Sequence, residues 1–318
     1  MKTIKAFLKL VRWPNLLMII VTQLLLQYMV IGHVLQLIQM ELPLSNGLFF
    51  LLMASTVFMA AFGYAYNDLK DVEVDEINKD NKRIVDIQID KKTVLNIART
   101  SLILALLPAL YLAYYLRMPQ LFLIHIIIAI GLWYYSIDLK KKVLSGNLLI
   151  SFFTALSIFI IWLYHLVVFR DNPVFMIDAR KAIPLLNIIV ITYSLFAFVI
   201  SLIREIIKDV EDIPGDKKYR MQTFAIRYGI KSTKILLHLL SLLMLLLVFA
   251  SSWFAYSYHW IKLSIYLLVA VGIPLVYLNT NLLKSHSPKD FSDLSMLAKI
   301  IMIAGILSMQ LFYISYGS

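Results

Sequence analysis

Cysteine is absent from the 318-residue chain, and charged residues make up only 15% of it. Without cysteine the chain has no disulfide, no thiolate nucleophile and no Cys-ligated metal. The apolar share is 61%, whereas a soluble domain is nearer half apolar, and the mean hydropathy is +0.80. These values exclude an ordinary soluble domain. Six histidines are scattered without a metal-binding pattern, at His33, His125, His165, His238, His259 and His286.

Apolar runs of about twenty residues recur along the chain, which is the length that crosses a bilayer core as a helix. We expect one all-α integral membrane domain over residues 1–318. Its predicted spans are 10–32, 47–67, 93–116, 119–137, 144–169, 184–208, 233–256, 260–279 and 293–315. The first run keeps large residues to its end and lacks a small-residue cleavage site, so it predicts a retained helix.

The net charge of +11 has its explanation in membrane topology. One set of connections, beginning with the N-terminus, holds 21 of the 30 basic residues, and the alternate set holds five. Basic connections face the cytoplasm. We therefore expect the plasma (inner) membrane, a cytoplasmic N-terminus, an outside C-terminus and no nucleic-acid partner.

Acidic residues concentrate in two stretches that share one spacing. Asp68, Asp71 and Asp75 follow span 2, and a matching triplet follows span 6 at Asp209, Asp212 and Asp216. On a helix, steps of three and four residues place three carboxylates on one face. Asn67 lies four residues before Asp71 on a neighbouring strip. Both stretches belong to the predicted cytoplasmic side.

Carboxylates on one helical face repel each other by about 0.2–0.5 kcal/mol per pair, so a cation is expected to offset them. Magnesium takes oxygen ligands and is usually held by one or two carboxylates together with substrate phosphates. Two such faces opposite each other predict a magnesium–diphosphate site. A solvated acidic loop is the simpler interpretation of one copy, but two equal copies at span ends favour function. Pro214 and Gly215 predict a helix break that brings Asp216 in from a loop.

The two copies also suggest an internal repeat of four helices. The repeats would cover 10–137 and 144–279, with a ninth helix at 293–315 added.

At these motifs the sequence resembles the UbiA family of intramembrane prenyltransferases. The matching residues are Asn67-Asp68-x-x-Asp71-x-x-x-Asp75 and Asp212-x-x-x-Asp216, with further matches at Arg12, Asn15, Tyr135-Ser136, Leu139-Lys140 and Gly146-Asn147-Leu148. The resemblance implies a nine-helix transmembrane bundle with a central cavity open to lipid. It also implies Mg²⁺-dependent prenyl transfer from a prenyl diphosphate to an acceptor.

The stretch from Arg204 to Asp216 is similar to the branch of that family that adds a second prenyl chain to a prenylglycerol phosphate. The substrate implied for this chain is geranylgeranyl diphosphate with such a lipid acceptor. An aromatic quinone precursor remains an open alternative, and the oligomeric state is also open.

The resemblance assigns roles to individual residues. Lys140 and Arg83 are candidates to contact diphosphate, and Tyr135 is a candidate to stabilise the allylic cation. Arg12 and Asn15 are candidates for the acceptor head, Ser136 for substrate, and Arg204 for either an acidic neighbour or phosphate. The expected metal ligands are Asn67, Asp68, Asp71, Asp75, Asp209, Asp212 and Asp216, with Asp71, Asp75, Asp212 and Asp216 also counted as catalytic.

Two departures from the family pattern concern loops. Arg220 stands where the family has glycine, and the segment 78–83 lacks the usual prolines.

A transporter is the alternative of another class, but transporters place ionisable groups near the bilayer midplane rather than at span ends. A membrane phosphotransferase would carry all its acids in one Asp-Gly…Ala-Arg…Gly motif, which the sequence lacks.

Overall fold

The computed structural model describes residues 2–78, 83–171 and 173–316. This part of the chain is almost entirely helical, with no strand. It contains nine helices long and apolar enough to cross a membrane, which confirms the predicted all-α membrane fold. The spans, numbered 1 to 9, are Trp13–Gln36, Asn46–Lys70, Lys91–Tyr115, Pro119–Ile137, Ser145–Arg170, Met176–Glu211, Phe224–Ser257, Ile261–Lys284 and Pro288–Ile314.

Spans 6 and 7 differ most from their predicted limits. Span 6 begins eight residues before 184 and ends at Glu211, and span 7 begins at Phe224 rather than 233. Hydropathy detects only the part of a helix that suits lipid, while polar residues with good helix propensity prolong it. Within span 7 the chain bends at Gly229, whose φ of +81° favours glycine.

Spans 1 and 8 each contain one π-helical stretch, at Leu26–Ile31 and Leu267–Gly272. The second ends two residues before Pro274. Because proline lacks an amide hydrogen, it cannot close the regular helical hydrogen bond, and a wider turn accommodates it.

Chain contacts group the residues into two units. The first comprises the residues up to Ile20, Leu44–Leu149 and Pro214–Thr223. In it, span 2 packs against spans 3 and 4. Alanines line this core at 65, 98, 105 and 129, and small residues let membrane helices approach closely. The hydroxyl of Ser55 donates to the carbonyl of Ala105 at 2.7 Å and joins two of the helices.

The second unit comprises Val21–Pro43, Ile150–Ile213 and the chain from Phe224 onward. In it, span 6 packs against spans 7 and 9. Polar contacts cross its interior: Gln27 and His165, both fully buried, lie 2.8 Å apart between Oε1 and Nε2. Such interhelical hydrogen bonds satisfy polar groups that lipid cannot.

Apolar side chains that are exposed in both units face the lipid. In span 4, Leu123, Ile127 and Ile130 are each more than half exposed, while Leu121 and His125 on the other face are buried. In water this exposure would be unfavourable. In a bilayer it supplies the apolar surface that surrounds the helices.

A glycine fixes the turn between spans 4 and 5. A Cβ on Gly146 would lie 2.9 Å from Cα of Lys140 and 3.1 Å from the carbonyl oxygen of Leu139. Both are backbone atoms of the 3₁₀ turn Leu139–Lys141, so they cannot yield without moving the turn.

We predict that Gly146→Ala destabilises the protein by about 1–3 kcal/mol, because the added methyl overpacks a backbone contact. Thermal unfolding in detergent measures the change. Gly47→Ala is the matched control, since nothing lies within 4 Å of its Cβ position. Equal melting temperatures for the two variants would contradict the prediction.

Candidate active site

In both aspartate motifs the middle aspartate joins the end of a long helix to the start of a short one, and this connection is called the join. Span 2 ends at Lys70, and Asp71 caps it with φ −95° and ψ 5°. Asp212 caps the helix that ends at Glu211 with φ −90° and ψ 1°. Each capping amide donates at 2.9 Å to the carbonyl four residues earlier. The expectation of one uninterrupted helical face is therefore wrong for the first triplet, because span 2 ends before its middle aspartate. In the second triplet the break that was expected before Asp216 falls at Asp212.

A short helix follows each join and carries the third aspartate. Asp75 lies in Val72–Asn78, and Asp216 lies in Ile213–Lys218. The expectation that Pro214 and Gly215 would leave Asp216 in a loop is also wrong. Pro214 occupies the second position of the short helix, where proline's missing amide hydrogen is not needed. Asp216 is buried, and it belongs to the same unit as the first motif.

Lys140 joins the first motif from the turn after span 4. Its Nζ donates to Oδ1 of Asp71 and lies 3.4 Å from Oδ1 of Asn67. The amide of Asn67 in turn donates to the other oxygen of Asp71 at 2.7 Å. Lys140 and Asp71 are only 10% and 16% exposed, so this ion pair is largely shielded from water. A carboxylate and an amide oxygen are thus directed at one cation.

Burial and neighbouring charges have opposite effects on the pKa of Lys140. Burial lowers the pKa of Lys140 below its usual range, while the carboxylate of Asp71 and the more distant charge of Asp75 oppose the shift. Lys141 and Lys142 follow it on the chain, and Lys142 instead pairs with Asp138 at the surface. Only one lysine of the basic run therefore enters the motif.

Arg12 holds the first aspartate of the motif. Its Nη2 donates to Oδ1 of Asp68 at 2.8 Å, and its guanidinium lies 4.9 Å from the ring centroid of Tyr64. The amide of Asn15 reaches the Tyr64 hydroxyl at 3.5 Å, the outer limit of a hydrogen bond. Sequence reasoning missed Tyr64. Its signal is the spacing to Asp68, four residues on and hence on the same helical face.

Three other predicted residues of the first unit lie near its turns. Arg83 reaches the Val72 carbonyl at 3.4 Å and Glu76 at 3.7 Å, so it contacts the short helix of the motif. Half-buried Tyr135 packs against Gly146, whose Cβ position lies 3.0 Å from the ring. The hydroxyl of Ser136 donates to the Leu132 carbonyl of its own helix at 2.9 Å. Residues 79–82 of the segment without prolines lie outside the described part of the chain.

Arg220 closes the segment after the second motif with a left-handed backbone, φ 54°. The amide of Met221 donates to the Asp216 carbonyl at 2.9 Å, and the amide of Gln222 donates to the Lys141 carbonyl at 2.7 Å. A left-handed residue costs about 1–2 kcal/mol unless it is glycine. This conformation explains why a glycine would suit position 220.

In the second unit, Arg204 pairs with its neighbour Glu205, Nη1 to Oε1 at 2.9 Å. Asp209 lies in the last turn of span 6 and Asp212 caps that helix, and both residues are half-buried. Arg204, Lys208 and Asp212 are each four residues apart, so they form one strip along the helix.

The described residues contain no group of three acidic or histidine side chains close enough to hold a metal ion by themselves. The oxygens present nevertheless suit magnesium, since carboxylates and an amide oxygen are hard ligands. The pair formed by Asp71 and Asn67 already receives a cation, the Lys140 ammonium. The first motif therefore fits a magnesium ion that obtains its remaining ligands from a bound phosphate.

Comparison with known proteins gives the chain its family. Residues 28–301 match the model of the UbiA prenyltransferase family. A digeranylgeranylglyceryl phosphate synthase from Saccharolobus solfataricus is 36% identical over 255 residues, which is 80% of each chain.

Solved structures share the fold. One, described as giving insights into digeranylgeranylglyceryl phosphate synthase in membranes, has a TM-score of 0.58 and 23% identity, and covers 98% of this chain and 99% of its own. A UbiA homolog from Archaeoglobus fulgidus bound to GPP and Mg²⁺ has a TM-score of 0.54 and 17% identity, covering 96% and 99%. By the family match over most of its length, the chain belongs to the UbiA prenyltransferase family and is an integral membrane prenyltransferase.

Proposed function

We propose that the chain transfers a geranylgeranyl group from geranylgeranyl diphosphate to the free hydroxyl of a prenylglycerol phosphate. The C1–O bond to diphosphate breaks and an ether C–O bond forms. Diphosphate leaves with the electron pair of the broken bond, and the hydroxyl proton is released. The contact of Lys140 with Asp71 and Asn67 carries the chemical part of the proposal. The similarity to the Saccharolobus solfataricus synthase supports the acceptor.

The aspartate motifs are proposed to bind magnesium. The ligands would be Asn67, Asp68, Asp71 and Asp75 in the first motif and Asp209, Asp212 and Asp216 in the second. A homolog of the same fold was solved bound to GPP and Mg²⁺, which supports a metal–diphosphate site in this chain. When bound, the metal supplies positive charge that stabilises the departing diphosphate.

Lys140 is proposed to change partner when substrate binds. It now neutralises Asp71, and a nearby diphosphate offers it stronger, doubly charged oxygens. Arg83 is within reach of the short helix after Asp71 and is proposed to contact the same group. Tyr135 is proposed to present its ring to the allylic cation, because aromatic faces stabilise cations where water is excluded.

Arg12 and Asn15 are proposed to meet the acceptor head together with Tyr64. Arg12 already carries a charge-assisted bond to Asp68, so it orients that aspartate as well. The hydroxyl of Ser136 donates a hydrogen bond within its own helix, so a role for Ser136 in substrate binding would require that hydrogen bond to break.

We predict that Asp71→Asn and Asp212→Asn each lower turnover at least about 10²-fold, since each removes a negative ligand and its electrostatic effect. Diphosphate release with Mg²⁺, geranylgeranyl diphosphate and geranylgeranylglyceryl phosphate measures this. Asp86→Asn is the control, because Asp86 lies at φ 68°, which asparagine tolerates, and pairs only with exposed Lys91. Full activity in both motif variants would refute the metal assignment. Transfer to an aromatic quinone precursor alone would refute the acceptor.

Within the basic run, we predict that Lys140→Met raises KM for the prenyl diphosphate about tenfold or more, because a charge-assisted contact to phosphate is lost. Lys141→Met removes the same charge from the next, exposed position and should leave KM unchanged. Steady-state kinetics of the two variants decide between a site role and a topological role. Equal effects would favour topology.

We also propose that the N-terminus and the motif loops face the cytoplasm, with the C-terminal end of span 9 outside. The cysteine-free chain permits single-cysteine labelling without background. A membrane-impermeant maleimide applied to intact cells should label Arg117→Cys and spare Lys141→Cys until the membrane is opened. The reverse pattern would invert the orientation.

A further inference from the structure

The backbone turn that carries Lys140 is tied to the segment that follows the second motif. The carbonyl of Lys141 is the last one of the 3₁₀ turn Leu139–Lys141, and the carbonyls at a helix end need donors from outside that helix. It accepts from the backbone amide of Gln222 at 2.7 Å. Because a 3₁₀ turn has poorer hydrogen-bond geometry than an α-helix, its position depends on contacts of this kind.

Gln222 is itself held close to Asp216. The amide of Met221 donates to the Asp216 carbonyl at 2.9 Å, and the amide of Arg220 donates to the Lys217 carbonyl at 3.2 Å. Together with the left-handed backbone of Arg220, these two bonds form the Schellman motif that ends a helix. The side chain of Met221 is buried, as is common for the apolar residue at this place in the motif. Gln222 therefore follows a closed and well-defined helix end.

This helix end stores backbone strain. Arg220 adopts φ 54°, a conformation that is unfavourable for an arginine. Strain of this kind persists where the surroundings enforce it, and it concentrates at functional sites. Here the strained residue turns the chain so that the next two amides reach the carbonyls of Asp216 and Lys141.

Span 5 holds the turn from the other side. The Cβ position of Gly146 lies 2.9 Å from Cα of Lys140, so the start of span 5 packs directly on the backbone of the turn. The Lys140 side chain extends from this fixed backbone to Asp71 and Asn67 of the first motif. A shift of the Lys141 carbonyl would move the Lys140 ammonium, because the two groups belong to adjacent residues of one short turn.

We propose that the backbone amide of Gln222 is a positioning group for the reaction. It fixes the turn that presents Lys140, and it thereby ties the ammonium to the segment that carries Asp216. A diphosphate bound at the second motif would then meet Lys140 at a set distance. The proposal rests on the proposed function, in which Lys140 binds the diphosphate, and Gln222 acts through Lys140 rather than by touching substrate.

Two substitutions at one position test the proposal. Gln222→Pro removes the amide hydrogen, whereas Gln222→Ala removes only an exposed side chain and keeps the amide. The readout is equilibrium binding of a non-reactive prenyl diphosphate analogue, with Mg²⁺, to the purified full-length protein. We expect Gln222→Pro to weaken binding about tenfold and Gln222→Ala to stay within about twofold of wild type. Equal affinities in the two variants would overturn the proposal.

A double-mutant cycle shows whether Gln222 acts through Lys140. In a Lys140→Met background, Gln222→Pro should weaken binding of the analogue by less than about twofold, since the amide then has no ammonium to position. A proline that only disturbed the fold would weaken binding equally in both backgrounds. Equal weakening would therefore overturn the proposal.

Hydrogen exchange tests the same link without a substitution in the loop. Because coupling is reciprocal, releasing Lys140 from Asp71 must also loosen the Gln222 amide. We expect Lys140→Met to speed exchange of that amide about fivefold or more, and Lys141→Met to leave it unchanged. Unchanged exchange in Lys140→Met would contradict the proposal. Wild-type protein that binds no analogue would refute the proposed function, and the exchange measurement would then still decide whether Gln222 positions Lys140.

Discussion

Carboxylates at the end of an apolar helix need a positive partner, and the first motif depends on that requirement. Asp71 caps the end of span 2, and its side chain is largely shielded from solvent. The Lys140 ammonium and the side-chain amide of Asn67 donate to Asp71, and Arg12 forms an ion pair with Asp68. Leaving such a buried charge without a partner costs several kcal/mol. We propose that the cations that neutralise the motif also release it to a metal–diphosphate.

The two motifs resemble each other in backbone geometry at Asp71 and Asp212 as well as in the spacing of their aspartates. Both residues adopt φ near −90° and ψ near 0°, and both precede a short helix that carries the last aspartate. Equal backbone geometry at equivalent positions supports the proposed four-helix repeat.

Much of this could be predicted from the sequence, because apolar length and oxygen-ligand spacing are local signals. The spans and both aspartate triplets followed from such signals, whereas Lys140 followed from the family resemblance. A break near Asp212 was expected from Pro214 and Gly215, but the break at Asp71 was not, because no proline or glycine follows it. Tyr64 was missed for another reason. Its partner Arg12 is distant along the chain, and helix packing brings the two together.

We propose that the aspartate motifs bind a divalent cation together with a diphosphate rather than by themselves. Electron paramagnetic resonance of Mn²⁺, a spectroscopic substitute for Mg²⁺, tests it directly on the purified protein. We expect the protein to bind Mn²⁺ weakly when Mn²⁺ is added alone, and much more tightly when a non-reactive prenyl diphosphate analogue is added. Mn²⁺ that binds equally well without the diphosphate analogue would contradict it.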